Sequence, residues 1–250
     1  MKLMQEPINK YLERTGFGLF RPKAVLFDMD GVLMNSMPNH AVAWVQSMAT
    51  FGIHMTAADA YATEGARGID TIRIMVKRQK GQDITLEEAQ RMYDVKTKMF
   101  GMMKKAEVMP GARQLMEKIE RQGLAICVVT GSGQRPLIDR LFTDFAPFVT
   151  EERLVTAYDV TKGKPNPDPY LKGMAKCGCQ PWETVVVENA PLGVKAGRAA
   201  GAFTIAVNTG PLDEKLLWDA GADVVLTSMQ ELCDSWESII TPGNPHPDER

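Results

Sequence analysis

The stretch AVLFDMDG (residues 24–31) joins an apolar run to two carboxylates and a glycine. Four further apolar runs rich in Val, Ile and Phe follow it: LAICVVTG (124–131), TVVVENA (184–190), FTIAVNT (203–209) and ADVVLTS (222–228). Short, nearly continuous apolar runs are typical of strands that are buried on both faces of a parallel sheet. The five runs therefore predict a parallel sheet whose first strand ends at the two carboxylates.

Helical patterns separate several of these runs. Residues 111–122 place Leu115, Met116 and Ile119 on one face, and Gly123 is a suitable C-terminal cap. Residues 191–200 begin with Pro191, which suits a first helical turn because its missing N–H would be unpaired there. The alternation of strands and helices predicts an α/β fold with a doubly wound, Rossmann-like parallel sheet.

Residues 37–106 break this alternation, because they show helical periodicity and no convincing strand. One apolar stripe contains Ala41, Trp44, Val45 and Met48. We therefore predict a small α-helical cap at residues 37–106, inserted into a catalytic core formed by residues 22–36 and 107–240. Its junctions at residues 35–38 and 105–110 are the candidate hinges.

The two ends of the chain are expected to differ in structure. Residues 1–21 form an N-terminal extension in which Ile8, Tyr11 and Leu12 have helical spacing, so a short helix on the core is predicted. Residues 241–250 contain three prolines and no apolar anchor, so this tail is predicted to be disordered.

Composition narrows the classes of function. The 250 residues carry a formal charge of −2 without a basic stripe, so no nucleic-acid partner is expected. No run of 18 or more apolar residues is present, so no membrane partner is expected. The four cysteines include no CxxC pair, which favours a reducing cytoplasmic location over a disulfide framework. A monomer is the expected state.

Asp28 and Asp30 lie two residues apart where the first run ends. Burying two carboxylates at the end of a buried strand is energetically unfavourable unless a cation compensates their charge. Carboxylate oxygens are hard donors, which suit Mg²⁺. Because ligands of open α/β sheets bind outside the carboxyl ends of strands, this edge is the expected site. We predict that Asp28 attacks phosphorus to form an aspartyl-phosphate, while Asp30 donates and accepts the proton. An acidic turn after a strand is the alternative interpretation.

Polar residues also follow the second apolar run and precede the third. The hydroxyl of Thr130 and the backbone N–H groups of Gly131 and Ser132 are suited to hold phosphoryl oxygens, although many loops share this pattern. Lys164, in GKPNPDPY, offers a cation for the charge that develops during phosphoryl transfer. A solvated lysine is the alternative for Lys164 considered by itself.

Glu188 and Asn189 end the run TVVVEN. A carboxylate and an amide oxygen at this point can complete a magnesium shell, so the predicted metal ligands are Asp28, Asp30, Glu188 and Asn189. A polar pair that caps the following helix is the alternative interpretation.

The order of these residues resembles the haloacid dehalogenase-like hydrolase superfamily from residue 22 to about residue 240. Its four motifs look like DMDG (28–31), Thr130, Lys164 and Glu188-Asn189. In that family the second aspartate, here Asp30, is present in phosphatases and phosphomutases and absent from dehalogenases. Relatives usually have Glu-Asp as the fourth motif, so the uncharged Asn189 implies weaker metal binding.

The predicted cap is similar to the β-phosphoglucomutase-like branch of this superfamily. The resemblance implies that His40 orients the acid/base aspartate and that Glu64 and Arg67 belong to the substrate loop. Arg67 is displaced by about one residue from the arginine that grips the second phosphate in the mutases. Lys96 matches a cap lysine that contacts substrate, and an exposed helical lysine is the alternative.

The expected function is Mg²⁺-dependent hydrolysis of a small phosphorylated metabolite through an aspartyl-phosphate. The alternatives are a β-phosphoglucomutase, which converts β-glucose 1-phosphate to glucose 6-phosphate, and an inorganic pyrophosphatase. A degenerate, non-catalytic phosphate-binding protein is the alternative outside enzymes. It ranks last because Asp28, Asp30, Thr130 and Lys164 are all present.

Overall fold

A computed structural model describes residues 5–240, so the predicted disorder of residues 241–250 lies outside the described residues. The described part contains a parallel sheet of six strands. The strands are β1 Ala24–Phe27, β2 Ala125–Val129, β3 Leu154–Val155, β4 Thr184–Glu188, β5 Phe203–Val207 and β6 Val224–Leu226. Their spatial order is β3-β2-β1-β4-β5-β6, with β1 paired to β2 and β4. The predicted α/β, Rossmann-like fold is confirmed, and β3 is an additional strand.

Eleven α-helices accompany these strands within residues 5–240. Those that precede β2 are α1 Gln5–Thr15, α2 Met37–Thr50, α3 Ala57–Ala62, α4 Gly68–Lys80, α5 Leu86–Gly101 and α6 Ala112–Arg121. Those that follow it are α7 Arg135–Asp144, α8 Asp168–Cys177, α9 Pro191–Ala199, α10 Glu214–Ala220 and α11 Met229–Ile240. The helices predicted at 111–122 and 191–200 correspond to α6 and α9 and are confirmed.

Both faces of the sheet are buried, as the continuous apolar runs predict. On one face Val25 and Phe27 pack with residues of α1, α6 and α11, among them Trp236. On the other face Leu26 and Cys127 pack with residues of α8 and α9. Since successive side chains of a strand point to opposite faces, β1 contributes to both clusters and fixes the centre of the core.

The N-terminal helix predicted from residues 8–12 is present as α1 and packs on the core. Ile8 and Tyr11 are fully buried, and the Tyr11 hydroxyl donates a hydrogen bond to the Gly201 carbonyl at 2.9 Å. Arg14 pairs with Asp223 at 3.0 Å near the start of β6. The contacts give the extension a structural role.

Helices α2 to α5 occupy the segment between β1 and α6, and no strand lies among them in the described chain. They share a separate apolar cluster that includes Trp44, Met48 and Ile72. The two connecting segments run side by side, since Asn35 donates its backbone N–H to the Glu107 carbonyl at 2.8 Å. This arrangement supports the cap and core boundaries, which stay a prediction.

Within residues 5–240, no helix has the length and apolar character required to cross a bilayer. The four cysteines are all unpaired thiols.

Candidate active site

A small pocket lies where the carboxyl ends of β1 and β2 meet the inserted helices. Its volume is about 50 Å³. Among the residues predicted to form the site, those that line it are Asp28, Asp30, His40, Glu64, Lys96, Thr130, Gly131 and Ser132. Asp28 is held at the end of β1 by its backbone N–H, which donates to the Val187 carbonyl at 3.0 Å. The sheet edge therefore brings together residues that are far apart in the sequence.

Lys164 joins two of the predicted acidic residues. Its Nζ donates to Asp28 Oδ1 and to Glu188 Oε1, each at 2.5 Å, and all three side chains are almost completely buried. Burial raises the pKa of Asp28, and the neighbouring Lys164 only partly offsets this effect. Burial by itself would lower the pKa of Lys164, but the Asp28 and Glu188 carboxylates raise it above its ordinary value. Lys164 is therefore a fixed cation beside Asp28.

Both carboxylate oxygens of Glu188 already accept hydrogen bonds. Oε1 accepts from Lys164 and from the Tyr170 hydroxyl, the latter at 2.7 Å, and Oε2 accepts from the backbone N–H of Asn189 at 3.0 Å. A Cβ at Gly193 would lie 1.8 Å from Oε1, so only glycine leaves room for this carboxylate. In this geometry Glu188 holds Lys164 and the start of α9. The geometry argues against the direct metal contact predicted for Glu188.

Asn189 instead contacts Glu64, which lies in the loop between α3 and α4. Asn189 Nδ2 donates to Glu64 Oε1 at 2.9 Å, while Asn189 Oδ1 and Glu64 Oε2 are buried without a hydrogen-bond partner among the described residues. Burial raises the pKa of Glu64 well above its ordinary value, and the nearby Asp28 and Asp30 raise it further. Two unpaired oxygens beside two aspartates form a donor set that suits a hard divalent cation.

In the described part of the chain, no three His, Cys, Asp or Glu side chains are grouped closely enough to form a metal site by themselves. The candidate donor set depends on the amide oxygen of Asn189. It also depends on Glu64, which sequence reasoning assigned to substrate. Gly31 permits this packing, because a Cβ there would lie 2.0 Å from Asn189 Nδ2.

Asp30 is held by two side chains. Ser36 Oγ donates to its Oδ1 at 2.5 Å, and His40 Nε2 contacts the same oxygen at 3.1 Å. Burial pushes the pKa of Asp30 up, but His40 and Ser36 lower it more, so that the net pKa is below the ordinary value. The predicted contact between His40 and the acid/base aspartate is therefore present in the structure.

Lys96 completes this chain of contacts, since its Nζ lies 2.6 Å from His40 Nδ1. When Lys96 is protonated it can only donate, so in that state Nδ1 accepts and Nε2 carries the proton donated to Asp30. Lys96 is 1% exposed, and the rings of Trp44 and Phe100 lie 5.1 and 5.0 Å from Nζ. Burial lowers its pKa to about 7. The exposed-lysine interpretation is wrong, and Lys96 lines the pocket as predicted.

The loop after β2 is folded tightly against the inserted helices. Ser132 donates its backbone N–H to Thr130 Oγ1 at 3.0 Å. A Cβ at Gly131 would lie 2.4 Å from the Gly65 carbonyl oxygen, so glycine allows the two loops to approach. This contact closes one side of the pocket.

Arg67 does not reach the pocket. Its guanidinium pairs with Asp70 at 2.7 Å, and its side chain packs over Gly163, where a Cβ would lie 2.7 Å from Arg67 Cγ. The substrate contact implied by the resemblance is therefore absent from this geometry. Sequence reasoning also missed Ser36 and Tyr170, because an isolated Ser or Tyr gives no sign of its partner.

A Rossmann-like sheet whose polar strand ends lie beneath inserted helices places the chain among the α/β proteins that bind ligands at the carboxyl ends of their strands. The family model described as haloacid dehalogenase-like hydrolase matches residues 25–207. The chain belongs to this family, and it is an enzyme of the phosphatase and phosphomutase type.

Several known proteins resemble the chain along most of its length. It is 34% identical to hexitol phosphatase A of Escherichia coli (strain K12), over 85% of this chain and 94% of that protein. It is 25% identical to beta-phosphoglucomutase of Bacillus subtilis (strain 168), over 86% of this chain and 96% of that protein. A solved structure of a putative beta-phosphoglucomutase from Bacteroides vulgatus superimposes with a TM-score of 0.92. It is 48% identical and covers 95% of this chain and 97% of its own. The predicted family and branch are confirmed.

Proposed function

We propose that the chain is a Mg²⁺-dependent phosphatase that transfers the phosphoryl group of a small phosphorylated metabolite to Asp28 and then to water. The observation that carries this proposal is the buried contact of 2.5 Å between Asp28 and Lys164, at the floor of a pocket that also contains Asp30. A carboxylate beside a permanent cation is suited to attack an anionic phosphoryl group, because the cation offsets the charge repulsion.

The protein groups act in two steps. The anionic phosphoryl group of the bound substrate favours the protonated form of Asp30, whose pKa is below the ordinary value in the structure without substrate. Asp28 Oδ attacks phosphorus, the bond to the leaving oxygen breaks, and Asp30 gives its proton to that oxygen. Asp30 then accepts a proton from water as the water attacks the aspartyl-phosphate, which releases phosphate and regenerates Asp28. His40, in contact with Asp30 at 3.1 Å, holds the acid/base carboxyl in place through both steps.

The residues that would surround Mg²⁺ are Asp28, Asp30, Asn189 and Glu64, and the Asn189 amide oxygen is needed because the carboxylates are not grouped closely enough in this structure to hold an ion by themselves. The unpaired oxygens of Asn189 and Glu64 support this assignment, whereas Glu188 already has both oxygens occupied. The ion supplies positive charge for the phosphoryl oxygens when it is bound. Because Glu64 lies in the loop between α3 and α4 of the inserted segment, its contribution is available when that segment lies against the core, as it does in this structure.

The substrate class follows from the size and charge of the pocket. A volume of about 50 Å³ accommodates a compact group, and Arg67 lies outside it. Lys96 is the lysine or arginine that lines the pocket from the described helices α2 to α5. A second phosphate on the sugar would therefore lack the arginine contact that a mutase requires. Hydrolysis of a small phosphoester is therefore our first candidate.

Hydrolysis of inorganic pyrophosphate is the second candidate. The small pocket and the carboxylate of Glu64 favour it, since a compact anion carrying metal ions would neutralise that carboxylate. A bulky leaving group would require the inserted helices to move away from the core, whereas pyrophosphate would not.

A single panel distinguishes these candidates. Phosphate release is measured with Mg²⁺ for hexitol phosphates, hexose 6-phosphates and pyrophosphate, together with conversion of β-glucose 1-phosphate to glucose 6-phosphate. We expect phosphate release without mutase flux, and no turnover by Asp28→Asn. Asp168→Asn, on α8, is the matched control and should retain activity. Normal turnover by Asp28→Asn, with the fold intact, would disprove the proposal.

A further inference from the structure

Tyr170 is connected to Asp28 by a short series of buried contacts, although it does not line the catalytic pocket. It lies in the first turn of α8, and its side chain is completely buried. Its ring belongs to the apolar cluster that includes Leu26 and Val129. This packing fixes the direction of the Tyr170 hydroxyl.

The hydroxyl of Tyr170 donates a hydrogen bond to Glu188 Oε1 at 2.7 Å. Burial raises the pKa of Tyr170 well above its ordinary value, and the Glu188 carboxylate raises it further, so the hydroxyl stays protonated and donates. The same carboxylate oxygen accepts from Lys164 Nζ at 2.5 Å. The Tyr170 ring centroid lies 5.0 Å from that Nζ. Tyr170 therefore acts on Lys164 both through its ring and through a shared oxygen.

Lys164 divides its positive charge between two carboxylates. Nζ lies 2.5 Å from Asp28 Oδ1 and 2.5 Å from Glu188 Oε1, and it donates to the Val129 carbonyl at 3.1 Å. An ammonium group has three protons, so these three acceptors use all of them. The charge-assisted hydrogen bond from Tyr170 draws on the negative charge of the same Glu188 oxygen. Glu188 therefore attracts Lys164 less strongly than it would without Tyr170.

We propose that Tyr170 is a positioning residue that keeps Lys164 directed at Asp28. Without its hydroxyl, Glu188 Oε1 would have Lys164 as its one remaining side-chain donor among the described residues, and Nζ would move toward Glu188. Less positive charge would then remain beside Asp28, where the anionic phosphoryl group is attacked. The kinetic consequence rests on the proposed phosphatase function, whereas the effect of Tyr170 on Lys164 does not.

Tyr170→Phe tests this inference, because it keeps the ring and removes the hydroxyl alone. Acetyl phosphate with Mg²⁺ is the probe, since its weakly basic leaving group needs little help from Asp30 and the rate reports on attack by Asp28. We expect kcat to fall about tenfold, as for a lost hydrogen bond to a charged group, and KM to change less than about twofold.

Tyr11→Phe is the matched control. Tyr11 is also completely buried, and its hydroxyl donates to the Gly201 carbonyl at 2.9 Å, outside the pocket. This variant should lose a similar amount of thermal stability and keep the wild-type kcat. An equal loss of kcat in both variants would show that Tyr170 acts through stability, which would disprove the inference.

The ammonium group of Lys164 gives a readout that does not depend on turnover. In protein labelled with ¹⁵N-lysine, the Lys164 Nζ signal is identified by its loss in Lys164→Met. Tyr170→Phe should shift this signal, and Tyr11→Phe should not. An unshifted signal or a normal kcat in Tyr170→Phe would disprove the inference. A shifted signal in a protein whose wild type releases no phosphate would refute the proposed function alone, because the shift would still support the positioning of Lys164 by Tyr170.

Discussion

Replacement of Lys96 by methionine should stabilise the fold while impairing catalysis. Lys96 is 1% exposed and has no carboxylate in hydrogen-bond contact, so its charge is held by His40 and by aromatic rings. The fall of its pKa from 10.5 to about 7 corresponds to about 4–5 kcal/mol at about 1.4 kcal/mol per pKa unit. The lost contact with His40 offsets part of this, so a net gain of about 2–4 kcal/mol near pH 7 is expected.

The gain in unfolding free energy expected for Lys96→Met depends on pH. Above pH 7 the folded wild type holds a neutral Lys96, whereas the unfolded chain stays protonated up to pH 10.5. The unfolded wild type therefore binds more protons, and wild-type stability rises with pH in this window. The advantage of Lys96→Met should thus shrink by about 1.4 kcal/mol per pH unit between about pH 7.5 and pH 9.5.

Urea unfolding of both proteins at several pH values between 6 and 9.5 measures this difference. Lys98→Met, two residues further along α5 and exposed, is the matched control and should show no such trend. In the same Lys96→Met protein, kcat should fall on the order of tenfold, because His40 loses the partner that fixes its tautomer. A stability difference that does not change with pH, or a destabilised variant at pH 6, would refute the reasoning.

Three further predictions follow from individual contacts. Glu64→Gln should raise the Mg²⁺ concentration for half-maximal phosphate release by about tenfold, and an unchanged requirement would remove Glu64 from the donor set. Arg67→Ala should change KM by less than about twofold, since Asp70 holds the guanidinium outside the pocket; a large rise in KM would show that it reaches substrate. Gly193→Ala should lower the free energy of unfolding by about 2–3 kcal/mol, because the added Cβ would collide with Glu188 Oε1. In the control Gly101→Ala the added Cβ meets no atom within 4 Å, so thermal unfolding should not show this loss. Equal melting curves for the two variants would contradict the packing argument.

The sheet could be predicted because its strands are buried on both faces. AVLF at β1 and TVVVE at β4 read as continuous apolar runs, and their ends carried Asp28 and Glu188. Strand β3 could not be predicted in this way, because two residues, Leu154 and Val155, give no periodic signal. The longer strands could be recognised from their apolar residues alone, whereas the two-residue strand β3 is defined by its pairing with β2.

The roles of individual polar residues were less accessible from the sequence. Motif order placed Lys164 beside Asp28 correctly, but it could not show that Lys164 and Tyr170 occupy Glu188. The resemblance placed Arg67 in the substrate loop, yet the structure pairs it with Asp70. Side-chain pairing of this kind depends on three-dimensional packing, which residue spacing does not encode.

The balance of charge in the pocket gives a physical reason for a cation. Four acidic residues come together at one sheet edge: Asp28, Asp30, Glu64 and Glu188. Among the described residues, the cations within hydrogen-bond distance of these carboxylates are Lys164, which contacts Asp28 and Glu188, and the titratable His40, which contacts Asp30. A phosphate dianion would add further negative charge to this set, and buried like charges repel strongly. The protein alone should therefore bind phosphate weakly, and Mg²⁺ should strengthen that binding at least about tenfold. Calorimetric titration of orthovanadate or phosphate with and without Mg²⁺ tests this, and equal affinity in the two conditions would show that the carboxylates are neutralised by protons instead.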